Sequence, residues 1–169
     1  AIGGERNDQL NGCAQSGPSQ HSAEGIAMKH VIIGAGPAGV IAAETLRKGA
    51  ANAEIHLVGG EPEPPYSRMA IPYLLEGNIA EEGTHLRKTA GHYDNLSIKY
   101  SHGRVESIVP GDSSLTLEGG DKISYDRLLL ATGARPMQLP VPGMDLAGVH
   151  NCWTLPDARE IAKLAQPGA

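Results

Sequence analysis

Residues 29–39 have the sequence Lys29-His30-Val31-Ile32-Ile33-Gly34-Ala35-Gly36-Pro37-Ala38-Gly39. A short apolar run of strand length breaks into Gly-x-Gly-x-x-Gly, and good helix formers follow from Val40 to Lys48 before Gly49. This order predicts the first strand, turn and helix of a dinucleotide-binding unit. In such a unit a pyrophosphate lies at the helix N-terminus, where unpaired N–H groups and the positive end of the helix dipole favour an anion.

The three glycines have separate physical roles in this motif. Gly34 allows the sharp turn from strand to helix, and Gly36 leaves no side chain between the backbone and a phosphate. Gly39 lets the helix pack closely on the strand. Pro37 fits the first helical turn because its missing N–H has no intrahelical partner there. Glu44 and Lys48 have the spacing of an i,i+4 ion pair.

The stretch after the helix supplies the context that a glycine motif needs. A second apolar run, Glu54 to Val58, is followed by Gly59-Gly60-Glu61. Glu61 lies roughly 20 residues past the glycines, where the unit needs an acid to accept the ribose hydroxyls. The alternative, an ordinary glycine-rich turn, does not require this second strand and acid.

Composition excludes several classes of function. The 169 residues suit one domain, and a net charge of -5 gives no basic surface for nucleic acid. No apolar run approaches the roughly 20 residues that cross a bilayer. The two cysteines, Cys13 and Cys152, form no C-x-x-C pair, and the seven histidines have no metal-binding spacing. Reducing, cytoplasmic conditions fit this cysteine usage.

The region after Glu61 contains a stiff proline-rich loop, Pro62 to Arg68, and a short interrupted helix from Met69 to Leu75. Arg68 is either a solvated loop charge or a ligand for phosphate or adenine, since a rigidly held guanidinium suits both. A polar surface segment, Glu81 to Tyr93, follows.

From Leu96 onward the pattern predicts one parallel strand and then an antiparallel meander with turns at 110–113 and 118–121. The next run, Asp126 to Gly133, predicts a buried strand that ends at small residues, where bare backbone can approach a ligand. Thr154 can cap a final helix over 156–164.

Taken together, four segments resemble the FAD-dependent pyridine nucleotide-disulfide oxidoreductases of the glutathione-reductase structural type. They are Val31 to Gly39, Gly60-Glu61, Pro65-Tyr66-Ser67-Arg68, and Tyr125 to Pro136. The resemblance covers about Met28 to the end of the chain. It implies an α/β fold, in which an FAD/NAD(P)-binding Rossmann-like parallel sheet carries a three-stranded antiparallel meander and is incomplete at the C-terminus.

The resemblance also implies which residues hold FAD. The glycine motif would bind the pyrophosphate, and Glu61 would bind the adenosine ribose. Arg68, the Val105 backbone and the small residues after the last strand would line the rest of the site. The full set is Gly34, Ala35, Gly36, Pro37, Ala38, Gly39, Glu61, Arg68, Val105, Ala131, Thr132 and Gly133. No residue of this segment is predicted to be a catalytic acid or base.

Met69 departs from one branch of the family. The segment Met69-Ala70-Ile71-Pro72-Tyr73 is similar to NADH oxidases and coenzyme A disulfide reductases, which carry a redox cysteine at this position. A thioether cannot form a thiolate or a mixed disulfide. The expected activity therefore resembles that of rubredoxin or ferredoxin reductases and of the flavin portion of nitrite reductase. In these, reduced flavin passes electrons directly to an acceptor, although a lysine often found in their loop is absent here.

The resemblance further implies a domain plan and partners. Residues 1–27 are expected to be a disordered extension, because they are rich in small polar residues and have no sustained period. Residues 28–150 would be the first part of the FAD-binding domain, and 151–169 would lead to an NAD(P)H-binding domain that is missing. NAD(P)H would be the co-substrate, and a small molecule or redox protein would be the electron acceptor, with neither nucleic acid nor membrane as a partner. A homodimer is compatible with the resemblance.

Two other functions are compatible with the residues. One is a nucleotide-binding module without redox activity, and the other is a dehydrogenase that binds NAD in the glycine motif. The late Ala131-Thr132-Gly133 signature and the meander before it argue against the dehydrogenase, because single-domain NAD folds lack them.

Overall fold

A computed structural model of the chain describes residues 27–165. Its main sheet has four parallel strands in the order β3-β2-β1-β7. The strands are β1 (Lys29–Ile33), β2 (Glu54–Gly59), β3 (Ile98–His102) and β7 (Arg127–Leu130). Because β1 lies between β2 and β7, the chain leaves β1 in one direction and returns on its other side. Ligands bind at such a switch point, outside the carboxyl ends of the strands.

Helix α1 (Pro37–Gly49) connects β1 to β2 and covers one face of the sheet. Its buried residues include Val40 and Ala43, which pack against Ile32, Ile55 and Leu57 from the strands. These strand residues point to the same face because side chains alternate along a strand. The predicted strand–turn–helix unit is therefore present.

The other face of the sheet is covered by an antiparallel meander of β4 (Val105–Val109), β5 (Ser114–Leu117) and β6 (Lys122–Ser124). Leu115 and Leu117 of β5 pack against Val31 and Val58 of the main sheet. The predicted fold class, a Rossmann-like parallel sheet with a three-stranded meander, is confirmed.

The long connection between β2 and β3 is held by a third apolar cluster. This connection contains a 3-10 turn at Arg68–Ala70, helix α2 (Ile71–Leu75), a 3-10 turn at Glu81–Thr84 and helix α3 (His92–Asn95). Tyr66 and Ile71 pack against Leu155 and Ala158 of helix α4 (Leu155–Leu164). The last helix of the described residues thus fixes the loop that carries Arg68.

The N-terminus of α4 has the predicted cap. The Thr154 side chain accepts a hydrogen bond from the Asp157 backbone N–H at 3.3 Å, and the Asp157 carboxylate accepts one from the Thr154 N–H at 2.8 Å. This reciprocal pair is a capping box, which satisfies two of the backbone donors that the first turn leaves unpaired.

Two sequence predictions are wrong in detail. The strand β7 was expected to be buried, but Leu129 and Leu130 are 42% and 60% exposed, because β7 is an edge strand of the described sheet. The predicted pair of Glu44 with Lys48 is replaced by tertiary contacts. The Glu44 carboxylate instead binds the Arg87 guanidinium at 2.6 and 2.7 Å and His92 Nε2 at 2.9 Å.

The predicted disordered extension falls almost wholly on residues 1–26, which lie outside the described residues. Over the part that is described, no helix has both the length and the apolar character that a membrane span requires.

Candidate functional site

The carboxyl ends of β1, β2 and β7 open into one cavity of about 1170 Å³. Its wall includes the glycine turn, Glu61, Arg68, Val105 and the residues that follow β7. All the predicted site residues line this cavity except Gly39, which lies behind the turn and packs against it. Segments separated by up to about a hundred residues in sequence therefore meet at the switch point of the sheet, outside the carboxyl ends of the strands.

The glycine turn is built so that two of its glycines are required by packing. Gly34 has a φ of +110°, and a Cβ there would lie 2.2 Å from the Ala131 carbonyl oxygen. A Cβ on Gly39 would lie 1.8 Å from the Gly34 carbonyl oxygen. Both distances are far shorter than van der Waals contact, so a side chain at either position would displace backbone.

Gly36 differs from these two because no atom lies within 4 Å of the position a Cβ would take. Its backbone is extended, with φ of -76° and ψ of -177°, which any residue can adopt. Packing therefore does not explain this glycine, but the cavity does, since Gly36 lines it at the start of α1. The N–H groups of the first helical turn have no intrahelical acceptors, so this end of the cavity suits a phosphate.

Glu61 follows the end of β2 and forms the next part of the wall. Its carboxylate accepts a hydrogen bond from the Tyr66 hydroxyl at 2.5 Å and forms an ion pair with Arg68. Burial, reinforced by the hydrogen bond to Glu61, raises the pKa of Tyr66 to about 12, so this hydroxyl stays protonated and remains a donor. Glu61 is about one third exposed, and a carboxylate has lone pairs for further donors such as ribose hydroxyls.

Arg68 lies between three separate parts of the chain. Its guanidinium pairs with Glu61 and stands over the ring of Trp153, with Cζ 5.0 Å from the ring centroid. A Cβ on Gly133, where φ is +71°, would lie 3.8 Å from Arg68 Nη1. Of the two alternatives for Arg68, a solvated loop charge does not fit these contacts.

The remaining walls come from the meander and the loop before α2. Val105, the first residue of β4, lines the cavity. Met69 lies at the rim of the cavity and is 83% exposed. Among residues 27–165 no cysteine lines the cavity, since Cys152 is exposed and is not part of its wall.

Sequence reasoning did not single out three polar residues of the wall, Tyr66, Glu63 and Trp153. Tyr66 was quoted as part of a motif, but its bond to Glu61 was not predicted. Glu63 is 8% exposed in its side chain and binds Arg159 at 2.8 Å through Oε1, while its Oε2 is buried without a partner. A single tryptophan in 169 residues was the available signal for Trp153, but its contact depends on the tertiary fold.

The chemistry of this donor set suits a dinucleotide and not a metal ion. The cavity offers backbone N–H groups and open space at Gly36, a carboxylate at Glu61 and a guanidinium at Arg68. Within residues 27–165, no group of three or more histidine, cysteine, aspartate or glutamate side chains could hold a metal.

The fold and the cavity define a dinucleotide-binding protein. Its Rossmann-like parallel sheet has helix α1 on one face and the meander on the other. Residues 28–168 match the family model described as pyridine nucleotide-disulphide oxidoreductase, and the chain belongs to this family. The family predicted from the sequence motifs is therefore confirmed.

Individual relatives agree with this assignment. The chain is 35% identical over 138 residues to the biphenyl dioxygenase system ferredoxin–NAD(+) reductase component of Paraburkholderia xenovorans (strain LB400), covering 81% of this chain and 34% of the relative. It is 35% identical over 146 residues to the NADH oxidase of Methanocaldococcus jannaschii, covering 80% and 32%. The crystal structure of the covalent putidaredoxin reductase–putidaredoxin complex superposes with a TM-score of 0.73 at 32% identity, covering 82% of this chain and 34% of that one.

The chain spans about a third of the length of these curated relatives. The prediction of FAD as cofactor, with NAD(P)H as co-substrate, is confirmed for the family. Oxidoreductase activity is likewise a property of the family.

Proposed function

We propose that this chain forms the FAD-binding part of an NAD(P)H-dependent flavoprotein oxidoreductase. FAD, when bound, would take hydride from the nicotinamide and pass electrons on to a small molecule or a redox protein. The chain itself would bind and orient the cofactor, which is the usual division of labour in such enzymes.

One observation carries the proposal: the glycine turn, the acid after β2 and the small residues after β7 surround a single cavity. An ordinary glycine-rich turn would need no such convergence. The open space beside Gly36 supports a phosphate at the start of α1, because nothing else in the described residues requires a glycine there.

The remaining site residues have roles that follow from their chemistry. Glu61 would accept the ribose hydroxyls through lone pairs that Tyr66 and Arg68 leave free. The bare backbone of Ala131-Thr132-Gly133 and the start of β4 at Val105 would line the path toward the flavin.

Met69 supports direct transfer of electrons from flavin to acceptor. A methionine sulfur has no proton to lose, so it can neither attack a disulfide nor hold a mixed disulfide. The described wall of the cavity has no cysteine to replace it. The described residues of this chain would therefore contribute no thiol to the electron path.

The first test is retention of FAD by the purified chain after incubation with excess cofactor and desalting, measured by flavin absorbance. We expect retained flavin, and we expect Glu61→Ala to weaken binding by about tenfold or more, since it removes the ribose acceptor. Glu76→Ala is the matched control, because Glu76 lies outside the cavity at the end of α2.

Other outcomes would point elsewhere. Retention of NAD⁺ in place of FAD in the same titration would support a dehydrogenase, and retention of neither would contradict a cofactor site in this chain. Equal weakening by Glu61→Ala and Glu76→Ala would contradict the role given to Glu61.

Direct electron transfer is tested in a polypeptide that carries this chain and has measurable NAD(P)H oxidation. Alkylation by iodoacetamide should leave acceptor reduction unchanged, and a Cys152→Ser variant controls for modification of that exposed thiol. Loss of activity on alkylation of a cysteine next to the flavin would contradict the proposal.

A further inference from the structure

Trp153 makes two side-chain contacts in the cavity wall. Its ring lies under the Arg68 guanidinium at 5.0 Å, and its Nε1–H donates a hydrogen bond to the Ala134 carbonyl oxygen at 3.2 Å. Ala134 belongs to the segment just after β7, so the indole joins the α4 side of the cavity to the β7 side.

These contacts hold Arg68 in one place. The ion pair with Glu61 anchors the guanidinium from the β2 side, and the indole covers it from the α4 side. An arginine on a loop otherwise has considerable rotamer freedom, which must be lost before it can hold a ligand in a fixed geometry.

We propose that Trp153 is a positioning residue for the cofactor site, which holds the Arg68 guanidinium across the cavity so that it can pair with a phosphate of the bound dinucleotide. This inference rests on the proposed function. Of the two ligands open to Arg68, the inference takes phosphate, because the indole leaves the N–H donors on the edge of the guanidinium uncovered. Those edge donors match phosphate oxygens in geometry and charge.

A purely structural role for the indole is separable from this one. The capping box of α4 uses the backbone N–H of Thr154, and the Asp157 carboxylate also accepts from the backbone N–H of Trp153 at 3.1 Å. Neither bond involves the indole, so replacing the side chain leaves the helix cap in place. We therefore expect Trp153→Leu and Trp153→Phe to fold, as checked by circular dichroism and thermal melting.

The first measurement needs no cofactor. In the free chain, the indole ring current should shift the Arg68 Nε–Hε signal in a ¹H–¹⁵N spectrum, and Arg68→Lys identifies that signal by removing it. Trp153→Leu should return the signal to the range of solvated arginines, whereas Trp153→Phe should keep part of the shift. An unchanged Arg68 signal in Trp153→Leu would overturn the contact on which the inference depends.

The second measurement is a double-mutant cycle on FAD affinity, followed by flavin fluorescence anisotropy so that loss of the tryptophan does not alter the readout. Trp153→Leu should weaken binding by about two- to five-fold, the range of an exposed to partly buried cation–π contact. Arg68→Met should weaken it by about tenfold or more, because a charge-assisted bond to phosphate is lost.

The cycle distinguishes positioning from packing. If Trp153 acts through Arg68, the double variant should bind FAD like Arg68→Met alone, and Trp153→Phe should restore most of the affinity. If the effect of Trp153→Leu persists unchanged in the Arg68→Met background, the indole acts independently and the inference is wrong.

Tyr73→Leu is the control for removal of a surface aromatic, since Tyr73 is 56% exposed and does not line the cavity. It should leave FAD affinity unchanged. An equal loss in Tyr73→Leu and Trp153→Leu would overturn the positioning role. Unmodified chain that binds no FAD would refute the proposed function and this inference together, whereas normal binding by Trp153→Leu would refute the inference alone.

Discussion

Gly36→Ala should weaken cofactor binding and leave the fold intact, in contrast to alanine at Gly34 or Gly39. A methyl group on Gly36 meets no protein atom within 4 Å and sits on extended backbone, but it projects where a phosphate would lie. The same methyl group on Gly34 or Gly39 would lie about 2 Å from a carbonyl oxygen. The three positions of one motif thus separate binding from folding.

The expected magnitudes follow from these distances. Forcing a methyl group into a packed region costs about 1–3 kcal/mol. At Gly34 the positive φ adds about 1–2 kcal/mol of backbone strain. Gly36→Ala should change the free energy of unfolding by less than about 1 kcal/mol, because its φ and ψ are ordinary and the unfolded chain loses some entropy. Its effect should appear in FAD affinity, as a loss of about tenfold or more.

The assay pairs urea denaturation with an FAD titration for each variant. With an unfolding slope of about 2 kcal/mol per molar urea, a loss of 2 kcal/mol lowers the midpoint by about 1 M, which is readily measured. Gly111→Ala is the matched control, since it also has open space around its Cβ position but lies outside the cavity. It should change neither the midpoint nor the affinity.

Two results would refute this reasoning. If Gly36→Ala bound FAD as the unmodified chain does, a phosphate would not approach that backbone. If Gly39→Ala had an unchanged urea midpoint, the close approach of α1 to β1 would not be needed for the fold.

Three further predictions concern stability. Burial lowers the pKa of His56 to about 4 from 6.5, and His56 is 3% exposed, so folding favours the neutral imidazole. The free energy of unfolding should therefore fall by up to about 3 kcal/mol as the pH drops from 6.5 toward 4. His56→Asn should make the urea midpoint nearly independent of pH over that range. The hydrogen bond from Arg87 lowers the pKa of Glu44 below 4.5. The stabilisation that the ionised Glu44 carboxylate gives the fold should therefore be present above pH 4.5 and be lost below it. Glu44→Gln should remove this acid-dependent loss in the same urea assay. Thr154→Ala should lower the free energy of unfolding by about 1 kcal/mol through loss of the helix cap, and Thr154→Ser should retain it.

The parts of this fold that the sequence predicts well are those specified locally. The strand–turn–helix at Val31 to Gly39, the meander with its two turns and the Thr154 cap all depend on residues within a few positions of one another. Turn residues, hydrophobic alternation and capping chemistry act at that range.

The two errors arise where a partner distant in sequence decides the outcome. Glu44 has Lys48 one turn away, but a bidentate bond to Arg87 in a half-buried setting is stronger than an exposed i,i+4 pair. An apolar run such as Leu128-Leu129-Leu130 indicates burial on both faces, yet exposure of a strand depends on what lies beside it in the sheet. The residues of the strand itself do not show which element lies beside it in the sheet.

The cavity combines both kinds of information, and this explains why its residues were predicted while its contacts were not. Each wall segment has its own local signal: glycines in the turn, an acid after β2 and small residues after β7. The Arg68 guanidinium, in contrast, is located by Glu61 and Trp153, which the chain brings together from 7 and 85 residues away. A change in either of these residues should therefore alter the position of the Arg68 guanidinium without altering the glycine motif.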